Sequence, residues 1–373
     1  MRGSIREKGA GVWEIRVEMP RDPATGARRQ QWRVVRGTKR KAEHELAKLL
    51  VLAQDARARS SQASVEFIIN AWFEAASQTL SPKTIDGYRW RIRDHLLPTL
   101  GSIPVDELTA SQIDKIYRSL IAKGDSPTGI RQTHAILRRA LNQAIKWGWL
   151  EKNVALQASP PKASQTAITS PTVAQLAVLL HDAEKLEPQW AAMIALAAVT
   201  GMRRGEILAL RWGDIGEGMI HVRRSLAYTP ATGILEGPTK TRQERRVSLD
   251  QIGMATVKRQ VASLTEVSAK HAFGLPPSPF LFFASPDGLT PFHPDSISKV
   301  FRKLADGRGW RELHFHSLRH FTATQLIAAG VDIRTVSGRL GHSDASVTLR
   351  VYSHVLEAKD REAAEIMGRL LGK

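Results

Sequence analysis

The chain contains no cysteine, which excludes disulfides and thiolate metal sites and fits a reducing compartment. It also lacks any apolar run approaching the ~20 residues of a membrane span. Its opening, Met1-Arg2-Gly3-Ser4-Ile5-Arg6, has no apolar core of a secretion signal. The expectation is a soluble, cytoplasmic protein with no membrane partner. Acidic residues are scarce: 36 Asp and Glu face 54 Lys and Arg, leaving a formal net charge of +18. Such a surplus favours a polyanionic partner, because basic groups neutralise phosphates and steer them from a distance, although solvated basic surfaces are also common. No internal repeat is visible. At 373 residues the chain is too long for one ordinary core, so two or three domains are expected.

The first sixty residues change period once. Residues 12–19 and 30–36 read as short strands joined by a turn around Asp22-Pro23-Ala24-Thr25-Gly26. From Lys39 to about Arg57 the pattern turns helical, with Ala42, Leu46, Leu49 and Leu50 on one side. A small sheet carrying one helix follows, with Trp13 and Trp32 packing the two together and a basic strand face left free to enter a DNA groove. Residues 1–50 hold thirteen Lys or Arg against six Asp or Glu, a net of +7. Arg16, Arg33 and Arg36 are the candidate contacts there.

Residues 61–160 read as helical throughout. Ser81-Pro82 has the cap-then-proline form of a helix start, and Thr109 with Gln112 forms a capping box. A fourth helix spans about 126–147, with Ile130, Ala135, Leu137, Leu141 and Ile145 as its inner side. Lys83, Arg89, Arg131 and Arg138 are candidate DNA contacts on a basic surface, where others of the lysines and arginines serve only solubility. The polar, proline-containing stretch 158–165 reads as a linker. Beyond it, Thr172 and Gln175 make another capping box, and 190–199 is apolar nearly all round, as in a central helix. Residues 219–222 and 245–249 read as strands separated by a looped excursion from Tyr228 to Gly237. Residues 279–283 are a strand or a buried loop. The fold class expected is multidomain: a small alpha+beta N-terminal module over 1–60, an all-alpha bundle over 61–160 and a mixed, mainly alpha domain over 161–373.

Three runs in the second half carry a hydroxyl nucleophile, two arginines and two histidines. In Thr200-Gly201-Met202-Arg203-Arg204-Gly205-Glu206, Arg203 follows a helix breaker and Glu206 lies three residues on, where it can orient the guanidinium. A structural Arg–Glu pair at a helix start is the bland alternative. Arg204 points elsewhere, into solvent or toward a DNA backbone. In His316-Ser317-Leu318-Arg319-His320 the spacing of three brings imidazole and guanidinium together on a helix that stops at Gly330. His314, His316 and His320 invite a metal reading, but no His-Glu-x-x-His arrangement is present, and no metal is expected. Leu340-Gly341-His342 ends a helix on a glycine and exposes the histidine, and Tyr352 follows in a short helical stretch. Guanidinium forks bind two phosphoryl oxygens at once and a tyrosine can attack phosphorus, so the set suits a phosphodiester.

These motifs, in their order and spacing, resemble those of tyrosine recombinases, specifically integrases of phages or mobile elements, and the likeness extends over the whole chain. Gly237-Pro238-Thr239-Lys240-Thr241 resembles the β-hairpin element that carries the family's lysine, with Lys240 as the match. The interval from His342 to Tyr352 is one residue longer than in recombinases that resolve chromosome dimers, which favours an integrase. The resemblance implies a catalytic set of Arg203, Lys240, His316, Arg319, His342 and Tyr352, supported by Glu206, with no metal and no cofactor. It implies an arm-type DNA-binding domain over 1–60, with a three-stranded sheet, then a helical core-binding domain and a catalytic recombinase domain. Double-stranded DNA is the implied partner, bound by a tetramer, with DNA-bending and excision-directing factors as further possible partners. It also implies that the tail, with the apolar stripe Leu356, Ala363, Ile366, Met367, Leu370 and Leu371, docks on a neighbouring protomer. The alternatives are a catalytically inactive DNA-binding regulator of the same fold and a type IB topoisomerase-like enzyme.

Overall fold

The computed structural model describes residues 3–19, 29–61, 63–162, 169–272, 274–341 and 364–371. It divides into two compact units, 1–165 and 166–373. The first unit opens with an antiparallel sheet in the order β1 (Gly3–Gly9), β2 (Val12–Met19) and β3 (Arg29–Arg36), backed by α1 (Lys39–Ser61). Of these strands, the alternating pattern had marked β2 and β3. Ile15, Val17, Val35, Ala42 and Leu49 form a core of their own. Trp13 packs against that core, as expected, and donates its indole N–H to the Gly37 carbonyl at 3.1 Å. Trp32 does not: it is 65% exposed. The register explains the difference, since Trp13 pairs with Val35 while Trp32 pairs with Arg16, placing the two tryptophans on opposite faces of the sheet. The turn foreseen at 22–26 lies outside the described residues.

The remainder of the first unit is helical: α2 (Val65–Ser77), α3 (Pro82–Arg91), α4 (Leu97–Leu100), α5 (Ala110–Ala122) and α6 (Pro127–Lys146). Its starts are written in the sequence. Ser64, Ser81, Thr109 and Ser126 each accept a backbone N–H of the first turn, and Thr109 with Gln112 completes the capping box. Between α3 and α4 the chain forms a π-helical turn, Ile92–Leu96, which turns His95 inward to Thr133 at 3.1 Å. Ile68, Ile69, Leu100, Ile113, Ile130, Ile136 and Leu137 are fully enclosed.

The second unit is built around α8 (Pro188–Thr200), which follows α7 (Val173–Leu186) and is buried on nearly every side, as its composition predicts. The short α9 (Arg204–Leu208) leads to β4 (Ile215–Gly216) and β5 (Met219–Val222), and β5 pairs with the later strand β8 (Arg245–Ser248). The excursion over 228–237, expected as a loop, instead belongs to a hairpin of β6 (Arg224–Thr229) and β7 (Gly233–Pro238). The Thr229 and Thr232 hydroxyls, 2.6 Å apart, tie its turn. Helices α10 (Gln251–Lys270), α11 (Ser296–Gly307), α12 (Ser317–Ala328) and α13 (Ile333–Leu340) complete the packed part. Residues 279–283 are a buried segment joined to its surroundings by single bridges, Arg211 to Phe280 and Phe283 to Pro291. A further helix over 364–371 exposes Ile366, Met367, Leu370 and Leu371, while Leu356 and Ala363 lie outside the described residues. Among the described residues, no helix is long and apolar enough to cross a membrane.

Candidate active site

Two helices of the second unit end on glycines in the left-handed conformation, and the site is assembled where those ends meet. Gly201 closes α8 with φ 66° and Gly341 closes α13 with φ 69°. A side chain at Gly201 would collide with Leu340. Helix C-termini leave carbonyls without intrahelical donors and carry partial negative charge, so they attract guanidinium groups. Four arginines answer that demand. Arg319, only 3% exposed, donates from Nη1 to the carbonyls of Gly201 (2.8 Å) and Leu340 (2.6 Å). Arg203 donates from Nη2 to the Gly341 carbonyl (2.9 Å), Arg245 from Nε to Arg339 (2.9 Å), and Arg339 from Nη2 to Val199 (3.0 Å). The two arginines foreseen as phosphate ligands are thus bonded to the same backbone junction, immediately before His342. In α12, Thr322 fixes the approach by donating to the Ala198 carbonyl at 2.8 Å.

Glu206 is the buried anion of the cluster. It sits in the first turn of α9, where a carboxylate is favoured by the helix dipole, and accepts the Arg203 backbone N–H at 2.9 Å. It also accepts Arg203 Nη1 at 2.9 Å and a fork from Arg245, Nη1 at 3.1 Å and Nη2 at 2.6 Å. Burial by itself would raise this carboxyl, but the hydrogen bonds and charges of Arg245 and Arg203 outweigh it, and the group is held below the ordinary glutamate value. The orienting role foreseen for Glu206 has this geometry. Arg245, read from sequence only as part of a strand, was missed. Arg204, expected in solvent or toward a DNA backbone, is partly exposed and pairs with Asp295 at 2.9 Å and donates to Ser298 at 2.8 Å.

His316 occupies the position just before α12 without a side-chain capping bond, one turn before Arg319, and its ring lies 5.0 Å from that of His320. His316 is exposed, and the packing around its ring together with the nearby His320, Arg319, His314 and Arg203 holds its pKa below the ordinary imidazole value. That direction favours the neutral imidazole, the form that can accept a proton. Lys240 is exposed on the turn between β7 and β8, a turn tied by Thr239 Oγ1 donating to the Gln243 carbonyl at 2.8 Å. His342 and Tyr352 lie outside the described residues. Arg203, Arg319, Glu206 and His316 are brought together by the fold, and Lys240 stands on the neighbouring strand connection.

The candidate DNA contacts of the first unit are all exposed, with one division among them. Arg16 pairs across the sheet with Trp32, and Arg36 shares that outer parity. Arg33 has the opposite parity and reaches Glu45 of α1 at 3.2 Å. Lys83 and Arg89 lie on α3, and Arg131 and Arg138 on α6; Arg89 is paired with Asp86 at 3.0 Å.

The profile of the Phage integrase family matches residues 170–359, and that of the Phage integrase, N-terminal SAM-like domain matches 64–121. The ICEBs1 integrase of Bacillus subtilis (strain 168) is 24% identical over 378 residues, covering 99% of this chain and 100% of the relative. Tyrosine recombinase XerC of Alcanivorax borkumensis is 28% identical over 75% of this chain and 86% of its own. Among solved structures, the Tn1549 transposon integrase in complex with a circular intermediate DNA superposes with a TM-score of 0.69 at 19% identity, covering 81% of this chain and 99% of its own. A lambda integrase tetramer bound to a Holliday junction gives a TM-score of 0.59 at 19% identity, covering 91% of this chain and 96% of the other. At these identities the superpositions show a shared fold.

Proposed function

This chain belongs to the phage integrase family, and from that premise we propose how it works. It is a tyrosine recombinase, an enzyme that breaks and rejoins DNA at specific sites for a mobile element. In the proposed reaction the Tyr352 hydroxyl attacks the scissile phosphorus, giving up its proton to His316. The P–O5' bond breaks, Lys240 protonates the departing 5'-oxygen, and the 3'-phosphate stays on Tyr352. Arg203 and Arg319 bind the non-bridging oxygens, where charge builds up, and His342 adds a hydrogen bond. The phosphotyrosyl bond conserves the energy of the phosphodiester, so a partner 5'-hydroxyl reseals it in integration and in excision without ATP.

The observation that carries this reading is the anchoring of Arg203 and Arg319 on one backbone junction. Two guanidinium groups held by Gly201, Leu340 and Gly341 are positioned before substrate arrives, as electrostatic catalysis requires. We further propose that residues 1–60 bind distal arm sites through the outer sheet face of Arg16, Trp32 and Arg36, and that 61–160 and the catalytic domain hold the core site. Four protomers assemble on two DNA segments in the cytoplasm, with the exposed Ile366, Met367, Leu370 and Leu371 available to dock on a neighbour. DNA-bending and excision-directing factors would act on that assembly.

The test incubates the full chain with supercoiled plasmid carrying the element's own ends and its genomic junction, scoring relaxation, covalent adducts and exchange between sites. All three are expected. Relaxation and adducts without exchange would favour a topoisomerase-like enzyme, and binding alone a regulator.

A further inference from the structure

Arg245 is enclosed, bonded on three sides and has no part in the steps above. Its side chain is 9% exposed, its fork spans both oxygens of Glu206, and its Nε holds the Arg339 carbonyl. It also underlies the turn that leads to His342: a β-carbon placed on Gly341 would lie 2.9 Å from Arg245 Nη1. One guanidinium therefore touches both sides of the site, the carboxylate that orients Arg203 and the end of α13.

The charge count shows why a second arginine matters. Glu206 contributes one negative charge, Arg203 and Arg245 two positive ones. Without Arg245, the carboxylate would neutralise Arg203 outright, and the pair would offer an incoming phosphate almost no net attraction. With it, Glu206 is shared and the triad keeps one positive charge. Geometry acts in the same direction. Among the described residues, Arg203 spends one side-chain N–H on Glu206 and one on Gly341, leaving three of its five for a ligand, provided that Glu206 does not rotate. The Arg245 fork, meeting both carboxylate oxygens, prevents that rotation. We infer that Arg245 is a positioning residue for DNA cleavage, which fixes Glu206, and through it Arg203, and preserves the positive charge that Arg203 presents to the scissile phosphate. The inference rests on the reading of Arg203 as a phosphate ligand.

The experiment measures single-turnover cleavage by the full chain on a nicked duplex carrying the element's own core site, alongside binding to the same duplex. Arg245→Gln is expected to lower the cleavage rate on the order of 10–100-fold, by analogy with the loss of a residue that orients a metal ligand. Binding should change little. In a Glu206→Gln background, removing Arg245 should cost little more, because the two act as one unit. On a duplex whose scissile phosphate is a methylphosphonate, with one charged oxygen replaced by methyl, most of the Arg245→Gln deficit should disappear. A purely structural staple between β8 and α13 would give the same deficit on both duplexes. If Arg245→Gln does not fold by circular dichroism, the comparison is read on Arg245→Lys, which keeps the charge and gives up the fork. A smaller loss is then expected, again absent in the Glu206→Gln background. Wild-type cleavage in the folded variant, or a deficit undiminished by both Glu206→Gln and methylphosphonate, overturns the inference. Undiminished cleavage by Arg203→Ala would instead overturn the phosphate-ligand reading beneath it.

Discussion

The arginines around Glu206 and those on the N-terminal sheet are the same residue used in opposite ways. Arg319 is 3% exposed and the Arg245 side chain 9%, each bonded to protein carbonyls or to a carboxylate. The Arg16 side chain is 52% exposed, with a long 3.3 Å pairing to Glu14 as its ion pair, beside Trp32 on the sheet face opposite Ile15 and Val17. In the first region the ordering entropy is met during folding, so the groups are in place when charge develops in the transition state. In the second it is met at binding, which suits salt-dependent attraction to a DNA backbone.

The contrast is broken most severely by Arg319→Ala. It removes the proposed phosphate ligand and leaves the buried carbonyls of Gly201 and Leu340 without their donor, each at about 1–3 kcal/mol. Single-turnover cleavage should fall by roughly 10²–10³-fold, as when a single oxyanion donor is deleted, and thermal melting should show a less stable second unit. Cleavage near the wild-type rate would show that the anchored arginines are scaffold only.

Gly201→Ala probes the anchoring without touching a charge. The residue has φ 66°, which costs a non-glycine residue ~1–3 kcal/mol, and the added methyl would collide with Leu340. Melting temperature should drop several degrees, at roughly 2–4 °C per kcal/mol for a unit of this size. Cleavage should weaken with it.

Acidification has a smaller and graded effect. The folded value of His320, about 4, lies below the ordinary 6.5 because burial and the neighbouring His314 and Arg319 disfavour its charged form, and the exposed His316 is shifted in the same direction. The unfolded chain then takes up protons first, so stability is full above pH ~6.5 and is lost progressively as the pH falls toward the folded values. Melting should decline from pH 7 to 5, whereas the cleavage rate should show no acid limb near 6.5 from His316. A limb there that disappears in a His316 variant would contradict its neutral state.

The smallest effect on chemistry is expected from the sheet. Arg16→Ala should weaken binding to arm-type DNA and lower the salt slope by about one, while core cleavage is unchanged. Arg33→Ala, on the other face beside Glu45, should do less. Equal losses from both in a binding titration would remove the distinction between faces.

What was legible in the sequence was local. Capping at Ser81, Thr109 and Thr172 fixes helix starts within three residues, and Gly201 and Gly341 mark helix ends by a backbone conformation that glycine tolerates best. The pairing of Arg203 with Glu206 is a spacing of three. Arg245 joins the same carboxylate from 39 residues away, across a hairpin, and no period links the two. The hairpin itself was hidden by its breakers, since Pro230, Gly233, Gly237 and Pro238 interrupt the alternation that marks a strand. Trp32 was misplaced for a related reason: alternation gives parity within a strand, and only the pairing of Trp13 with Val35 relates one strand's faces to the next.

The central claim is that this site serves a covalent reaction at Tyr352. Its most direct test traps the full chain on a nicked duplex carrying the element's own core site, then digests the adduct and maps the nucleotide-bearing peptide by mass spectrometry. A 3'-phosphate linkage at Tyr352, with no adduct and unimpaired binding in Tyr352→Phe, is expected. A linkage at another residue, or an adduct that persists in Tyr352→Phe, would contradict it.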